Sequence, residues 1–407
     1  MNTISIYTLT LALHDEQAVA AATQEFLSSL AIDYDFKGAD FADYGTAPLS
    51  LIYVRTGGTE GLFKALAPQL RAHSPHPIYL LTSGKSNSLA ASMEILSYLR
   101  QQGMKGEILH GSPAHINLRL DHLQRVVAAR HSLRGMRLGV IGQPSDWLIS
   151  SHADALAVSD KLGVELVDID IQEVLDVFND ISLEDSAIEI TPWCEPSAQV
   201  AAALPDAMRL YHALRHVVSR HQLAGFTIRC FDLLTAIHNT GCLALAQLNA
   251  EGFIAGCEGD VPAALSMLIS QVLLGVTGFQ ANPSSVNPES GLMTLAHCTI
   301  PFNLVTSYEL DTHFESGIGV GIRGDIFEGD ATLFKVSGDL SRYFVAQGSM
   351  VVNEPDPSLC RTQVNVSLAN PSLVRNYFLA DPIGNHHIVI PGRHSELLSL
   401  FFRFLSA

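Results

Sequence analysis

The chain is poor in charge. Only 16% of its 407 residues are Asp, Glu, Lys or Arg, against about 25% in ordinary globular proteins. Basic residues are the scarcer kind: 24 Lys plus Arg face 41 Asp plus Glu, for a formal net charge of −17. No block of clustered Lys and Arg occurs, and nucleic-acid binding needs such clusters to neutralise phosphates, so that class of partner is excluded. The nearest approach is the spread Arg119, Arg125, Arg130, Arg134 and Arg137. Aliphatics dilute it, and it reads as the solvated face of a helix leading into a strand. A run of about 18 apolar residues is also missing, which excludes a membrane-spanning helix. The longest candidate, 261–276, is interrupted by polar residues and reads as a buried helix. The N-terminus, MNTISIYTLTLALHDE, has no basic region before an apolar stretch and no small-residue cleavage pattern. A secretory signal is therefore not expected, and the expected location is the cytoplasm. The six cysteines (Cys194, Cys230, Cys242, Cys257, Cys298 and Cys360) form no CxxC pair. They read as buried free thiols of a reducing compartment.

Several catalytic signatures are absent as well. No G-x-S-x-G occurs, so a serine-esterase elbow is excluded. MRLGVIGQPSDW supplies no G-x-G-x-x-G dinucleotide fingerprint. Ser83-Gly84-Lys85-Ser86 looks like the end of a phosphate-binding loop, but Tyr79 stands where the first glycine of that loop is required. A nucleoside triphosphatase is excluded on that ground.

What is present is a hydrophobic content of 47% in a chain too long for one core. So little charge suits a large interior, or surface covered by sister subunits. Apolar runs alternate with helical patterns: strands at 1–8, 50–55, 77–82 and 106–110, with helices at 16–31 and from Leu89 to Gly103. A second set follows, with strands at 136–142, 164–170, 225–229 and 253–256. Its helices lie at 152–162, 171–180, 197–220, 241–249 and 261–274. Strands and helices in this order predict βαβ units and parallel sheets. From 291 onward the runs are short and β-like, at 291–298, 303–309, 317–322, 331–337 and 343–352, before an IVIPG strand and a helix at 395–404. The expected architecture is α/β. Two Rossmann-like parallel-sheet domains, 1–133 and 134–290, precede a β-rich, barrel-like part at 291–407 that carries a terminal helix.

Ligand crevices in α/β folds lie at the carboxyl ends of parallel strands. That rule selects four loops. Thr56-Gly57-Gly58-Thr59 can wrap an oxyanion with backbone amides, or be a plain turn. Ser83 to Ser88, with Lys85 and Asn87, suits a sugar hydroxyl or phosphate. The loop 143–147 ends in Trp147. Cys257-Glu258-Gly259-Asp260 brings two carboxylates to the head of a helix; Asp260 has a structural reason as its N-cap, whereas Glu258 has none. Three further segments carry ligand-type residues: His297 in a strand-like run, His386 and His387 before the IVIPG strand, and Asp311, His313 and Glu315 alternating in an extended DTHFESG. Adjacent strand residues point to opposite faces, so only one of His386 and His387 can share a site. Glu258, His297 and one late histidine form a set suited to an ion such as Mn²⁺.

These segments resemble a family. TIRCFDLL, GCLALAQLNAEGFIAGCEGDVPAALSML, LAHCTIP, RTGGTE, IGQPSDWLISS, HFESG and GNHH are similar to the L-fucose and L-arabinose isomerase superfamily, in its shorter fucose-isomerase-like branch. The resemblance runs nearly the whole chain and is densest between 225 and 301. It implies two Rossmann-like domains with a barrel-like C-terminal domain, and a homo-oligomer, with a trimer or hexamer favoured. It also implies a divalent ion, Mn²⁺ above others, and aldose–ketose interconversion through a cis-enediol. On the same basis Glu258 and His297 match metal ligands, and the late histidine ligand matches His386 or His387, with His386 favoured. Thr56, Gly57, Gly58, Lys85, Asn87, Trp147 and His387 fall to the sugar. The family's second acid, a ligand and base, falls at Asn282, whose amide can coordinate but cannot serve as a general base. Asp260, Glu315 or a metal-bound hydroxide are the replacements. The departure keeps open a metal-dependent lyase, epimerase or decarboxylase acting on a modified sugar or sugar acid. A non-catalytic, two-lobed sugar-binding protein is the reading from another class.

Overall fold

Continuous apolar runs become the strands of two parallel sheets in the computed structural model, which describes residues 3–73, 76–182, 189–326, 328–351 and 355–405. The outer ends of two expected strands, Met1 with Asn2 and Val352, lie outside those residues. Contacts divide the chain into two units: Met1–His131 with Leu400–Ala407, and Ser132–Ser399.

The first unit is built from β1 (Ile4–Leu9), α1 (Glu16–Ser28), β2 (Tyr34–Gly38), β3 (Leu49–Val54), α2 (Glu60–His73), β4 (Ile78–Leu81), α3 (Ser88–Gln101), β5 (Gly106–Leu109) and α4 (Pro113–Leu133). Its five strands pair in parallel in the order β2-β1-β3-β4-β5. β1, β3 and β4 carry almost no exposed side chain, as strands covered on both faces require. β2, YDFKG, is an edge strand with polar and exposed positions, and neither periodicity nor a buried run announces it. The solvated arginine face expected from the sequence forms only in part: Arg125 and Arg134 are exposed, while other arginines turn inward. Arg119 folds onto Glu107 in a two-pronged ion pair at 2.6 and 2.8 Å, and Arg130 donates to the carbonyl of Phe404 at 3.2 Å.

The second unit opens with β6 (Arg137–Ile141), α5 (Ala155–Leu162), β7 (Glu165–Ile169), α6 (Ile171–Asp180), α7 (Ala198–Arg220), β8 (Gly225–Ile228), α8 (Asp232–Ala236), α9 (Cys242–Ala250), β9 (Ile254–Gly256) and α10 (Val261–Leu274). The strands form a second parallel sheet in the order β7-β6-β8-β9. Direction reverses between β6 and β8, so the carboxyl-end crevice lies at their loops. α10 is the buried apolar helix expected at 261–276; it starts under the Asp260 cap and stops at Gly275 in the left-handed region.

The β-rich part consists of β10 (Phe279–Val286), β11 (Leu292–His297), β12 (Val305–Asp311), β13 (Gly321–Ile326), β14 (Gly329–Val336), β15 (Tyr343–Val351), β16 (Thr362–Leu368) and β17 (His387–Pro391), followed by α11 (Ser395–Leu405). Six of these strands close into an antiparallel barrel, β10-β11-β16-β15-β14-β17, and β12 with β13 forms a separate ribbon. Inward positions such as Met293, Leu295, Leu333, Val364 and Val366 fill the barrel. Two barrel strands were not expected from sequence. β10, FQANPSSV, hides behind a proline and a polar half, whereas β16, TQVNVSL, shows plain buried–exposed alternation. Barrel closure sets β17 beside β10, with His387 opposite Ala281, and β11 beside β10, with Ala296 opposite Asn282. Residues more than a hundred positions apart thereby reach one end of the barrel.

Candidate metal centre

Glu258 sits in the turn after β9, His297 is the last residue of β11, and His386 immediately precedes β17. One ligand atom from each lies within 4.8 Å of the other two, and all three side chains are buried. Nε2 of His297 and Nε2 of His386 stand 3.6 and 3.5 Å from the same oxygen, Oε1 of Glu258. Those separations are too long for good hydrogen bonds. They are close to the spacing of donors that share one ion, since ligands at about 2.1 Å stand roughly 3.0 Å apart at right angles and about 3.4 Å apart at tetrahedral angles.

Surrounding groups fix each ligand's orientation. Trp147 donates its indole N–H to Oε2 of Glu258 at 2.6 Å, which leaves Oε1 turned toward the histidines. Nδ1 of His297 lies 2.9 Å from the Thr299 hydroxyl, and Nδ1 of His386 lies 2.9 Å from Oδ2 of Asp260. A carboxylate at Nδ1 places the proton there and leaves Nε2 as the free lone pair, the arrangement of metal-binding histidines. Nε2 of His386 is buried and has no hydrogen-bond partner. A buried polar atom left in that state costs about 1–3 kcal/mol unless something meets it. The donor set of one carboxylate and two imidazoles suits a divalent transition ion such as Mn²⁺ or Zn²⁺. The residues fit a metal.

Beneath the ligands Asp260, expected as a helix cap, is joined by Lys335, which the sequence reading did not single out. Asp260 is fully buried; its Oδ1 accepts from the Ala263 amide at 2.8 Å, capping α10, and its Oδ2 lies 3.3 Å from Nζ of Lys335 on β14. Lys335, itself 1% exposed, is a charge set in the apolar run TLFKV, and that interruption was the available signal. Burial alone raises a carboxyl pKa, but Lys335 and His386 outweigh it and hold Asp260 down at about 2. Burial likewise opposes ionisation of Glu258, yet His386 and His297 keep it well below the usual carboxylate range. For His386 burial pushes downward, and the Glu258 and Asp260 carboxylates override it to about 9.

The turn that carries Glu258 is strained. Glu258 has φ +63°, a region non-glycine residues rarely occupy, and Gly259 follows at φ +70°. A Cβ on Gly259 would come within 2.7 Å of the Gln143 carbonyl oxygen and of Cα of Pro144, both backbone, so only glycine fits. The turn is tied on both sides: the Ser145 amide donates to the Glu258 carbonyl and the Gly259 amide donates to the Ile228 carbonyl, each at 2.9 Å.

A cavity opens over this group, walled by Phe231, Glu258, Asn282, His297, His313 and Glu315, among others. Trp147 packs edge-on against Phe231 at 4.7 Å, and Phe231 against His313 at 5.7 Å. Asn282 is at the wall, its Oδ1 accepting from the Asn385 amide at 3.0 Å. The DTHFESG segment is not extended as expected. It turns after Asp311, with the Gly317 amide donating to the His313 carbonyl. That turn separates the three residues: Asp311 pairs with Arg361 at 3.3 Å, while His313 and Glu315 face the cavity. Burial, with His297 adding to it, lowers His313 to about 4.

His387 points away from the ligand group, with Nε2 2.9 Å from the Tyr377 hydroxyl and Nδ1 2.8 Å from the Asn385 carbonyl; it is fully buried and does not wall the cavity. Thr56, Gly57, Gly58, Lys85 and Asn87 belong to the first unit, in the loops after β3 and β4. Those two loops meet, since the Gly57 amide donates to the Ser86 carbonyl at 2.7 Å. The Thr56 hydroxyl accepts from the Leu11 amide at 3.0 Å, and Lys85 is exposed, 3.9 Å from Glu25.

No family model matches the chain. Curated relatives do. A sulfoquinovose isomerase of Alkalicoccus urumqiensis is 24% identical over 264 residues, covering 61% of this chain and 59% of that protein. Sulfoquinovose isomerases of Clostridium sp. (strain MSTE9) and Priestia aryabhattai are 28% identical over 178 residues and 22% identical over 301. These similarities agree with the resemblance to the L-fucose isomerase-like family read from the sequence. Matched segments span 59%, 39% and 66% of those three relatives, less than two thirds of each. The expected fold, parallel α/β sheets followed by a β-rich, barrel-like part, is the fold observed, with the barrel closed. No helix among the described residues is long and apolar enough to cross a membrane.

Proposed function

We propose that the chain is a divalent-metal-dependent isomerase that interconverts an aldose and a ketose through a cis-enediol. The observation that carries this reading is the orphaned Nε2 of His386, buried beside the free faces of Glu258 and His297. The shared name of the relatives supports sugar isomerisation, and sulfoquinovose, the sugar in that name, heads the substrates to test. Glu258, His297 and His386 would hold the ion, Mn²⁺ first among those to try. When bound, it polarises the substrate carbonyl and offsets the charge that develops on the enediolate oxygens.

The chain's own residues divide the remaining work. Trp147 holds Glu258 in place and is itself braced by Phe231. Both oxygens of Asp260 are engaged by the α10 amide, His386 and Lys335, so Asp260 is a positioning residue that fixes the His386 tautomer. Asn282 carries no proton to exchange. Glu315, on the cavity wall, is assigned the proton: its carboxylate removes it from the carbon next to the carbonyl and returns it to the neighbouring carbon. General bases contribute about 10²–10⁴-fold, so Glu315→Gln should lower kcat by that factor. Mn²⁺ affinity should stay unchanged. The assay follows ketose formation from sulfoquinovose and from uncharged aldoses with Mn²⁺. Exchange of solvent deuterium into C2 without ketose would favour an epimerase instead. Sugar binding indifferent to chelator, without turnover, would favour a binding protein.

A pH dependence follows from His386. In the metal-free protein its raised pKa means that the ion must displace a proton from Nε2 below about pH 9. Apparent Mn²⁺ affinity should therefore rise about tenfold per pH unit up to that point and then flatten. Titrations between mildly acidic and alkaline pH, followed by electron paramagnetic resonance of free Mn²⁺, measure the slope; a flat profile would contradict it. The same group adds stability to the metal-free fold. That contribution is fully present below the ordinary value of 6.5 and is lost as pH rises through about 9.

A further inference from the structure

Five of the six cysteines, Cys230, Cys242, Cys257, Cys298 and Cys360, wall the cavity beside the metal group, and all are free thiols. A catalytic pocket for sugar hydroxyls has no need of so many thiols. Four of them fall into two contacting pairs: Cys298 is hydrogen-bonded with Cys360, and Sγ of Cys230 lies 3.0 Å from Sγ of Cys257, the residue that precedes Glu258. Cys230 follows β8 and Cys257 follows β9, neighbours in the parallel sheet whose ladder ends at Thr227 and Gly256. Both sulfurs therefore sit beyond the last paired residues, at the crevice. Cys257 is bonded directly to Glu258.

We propose that Cys230 and Cys257 form a reversible disulfide when a peroxide oxidant enters the cavity, and that this bond releases the metal by displacing Glu258. One cysteine sulfur attacks the O–O bond of hydrogen peroxide, giving a sulfenic acid, and the departing hydroxide takes up the thiol proton as water. The second sulfur then displaces the sulfenyl hydroxyl, which takes up the second thiol's proton and leaves as the second water. Two thiols lose two electrons in all, and one peroxide becomes two waters. A disulfide bond is about 2.05 Å long, so closing the gap moves the sulfurs by about 1 Å. Glu258 is already in the left-handed region and Gly259 abuts Gln143 and Pro144, so the turn has little room to take up a shift of the adjacent Cys257. On this proposal part of the shift reaches the Glu258 carboxylate and carries it off bonding distance. A persistent disulfide is unusual in a reducing compartment, whereas a transient, sensing one is the form that occurs there.

The release of metal rests on the reading of Glu258, His297 and His386 as a metal site; the cross-link does not, and two readouts keep them apart. The full chain is reduced, treated with hydrogen peroxide, mapped by non-reducing peptide mass spectrometry, and titrated with Mn²⁺ before and after. The expected map joins the peptides of Cys230 and Cys257 with the loss of two hydrogens. Mn²⁺ affinity should fall about tenfold or more, the scale of disturbing a ligand's surroundings. Dithiothreitol should reverse both. Cys230→Ser, with Cys230→Ala as a second variant should the first fold poorly, should keep its Mn²⁺ affinity after peroxide. A bond joining Cys298 to Cys360 instead, irreversible sulfonic acids without a bond, or a cross-linked protein of unchanged affinity would each overturn the proposal. Reduced protein that binds no Mn²⁺ overturns the metal reading, and the peptide map then still decides the disulfide.

Discussion

Glu258→Gln should abolish measurable Mn²⁺ binding and turnover together. Even outer partners of metal ligands are worth about 10- to 100-fold in affinity, and Glu258 is the oxygen that both histidines face, so a loss above 100-fold is expected. The amide can still offer an oxygen to an ion, but it removes the one negative charge aimed into the group. It also sets an N–H₂ against imidazoles whose free lone pairs point the same way. Isothermal titration with Mn²⁺ and a chelator-reversal assay give the affinity, and circular dichroism checks the fold. The adjacent histidines supply the control. His386→Gln should reproduce the loss of affinity. His387→Gln should leave affinity near that of the parent and lower stability instead, by about 1–3 kcal/mol, because it removes the imidazole partner of the buried Tyr377 hydroxyl, which then keeps only the Ile383 amide. An unchanged affinity in Glu258→Gln, or equal effects of the two histidine variants, would remove the metal centre from the molecule.

That contrast marks what was legible in the sequence. The choice between His386 and His387 was open to a strand argument, because neighbours in a strand face opposite ways. Which of them faced the ligands depended on closure of the barrel, with β17 seated between β10 and β14. Buried strands such as β3 and β4 were legible as apolar runs and α10 as a capped apolar helix, because burial on all sides leaves a strong compositional trace. β2 and β10 leave almost none: each is a half-polar edge or rim segment whose pairing is imposed by its neighbours. Glu258 stood out as a carboxylate with no capping duty. Its hydrogen bond to Trp147, 111 residues away, and the Lys335 beneath Asp260 depend on contacts between distant segments that no local pattern encodes. The turn at 311–317 shows the opposite failure. A period-2 pattern suggested an extended face, but Ser316 bonding back to His313 and the glycine at φ +66° made a turn of it.

Asp260→Ala should be the most destabilising change at the site, and its cause can be separated from its effect on the metal. The variant strands the Lys335 ammonium in the interior, a break that costs about 3–5 kcal/mol in buried pairs. It also removes the cap of α10, worth about 1 kcal/mol. Burial already lowers the Lys335 pKa, so without Asp260 the amine should shed its proton and recover part of that loss as pH rises. Asp260 itself stabilises the fold above its ordinary pKa of 3.8, and that contribution disappears as pH falls through about 2. A second substitution, Lys335→Met, removes the stranded charge with a side chain of similar reach. The pair Asp260→Ala with Lys335→Met should therefore regain most of the stability in chemical denaturation. It should not regain the metal. His386 Nδ1 would still lack its carboxylate, the ring would be free to turn or change tautomer, and Mn²⁺ affinity should remain about 10- to 100-fold down. Recovery of both together would mean that Asp260 serves only the packing beneath α10. Recovery of stability alone identifies the carboxylate as the group that aims His386 at the ion.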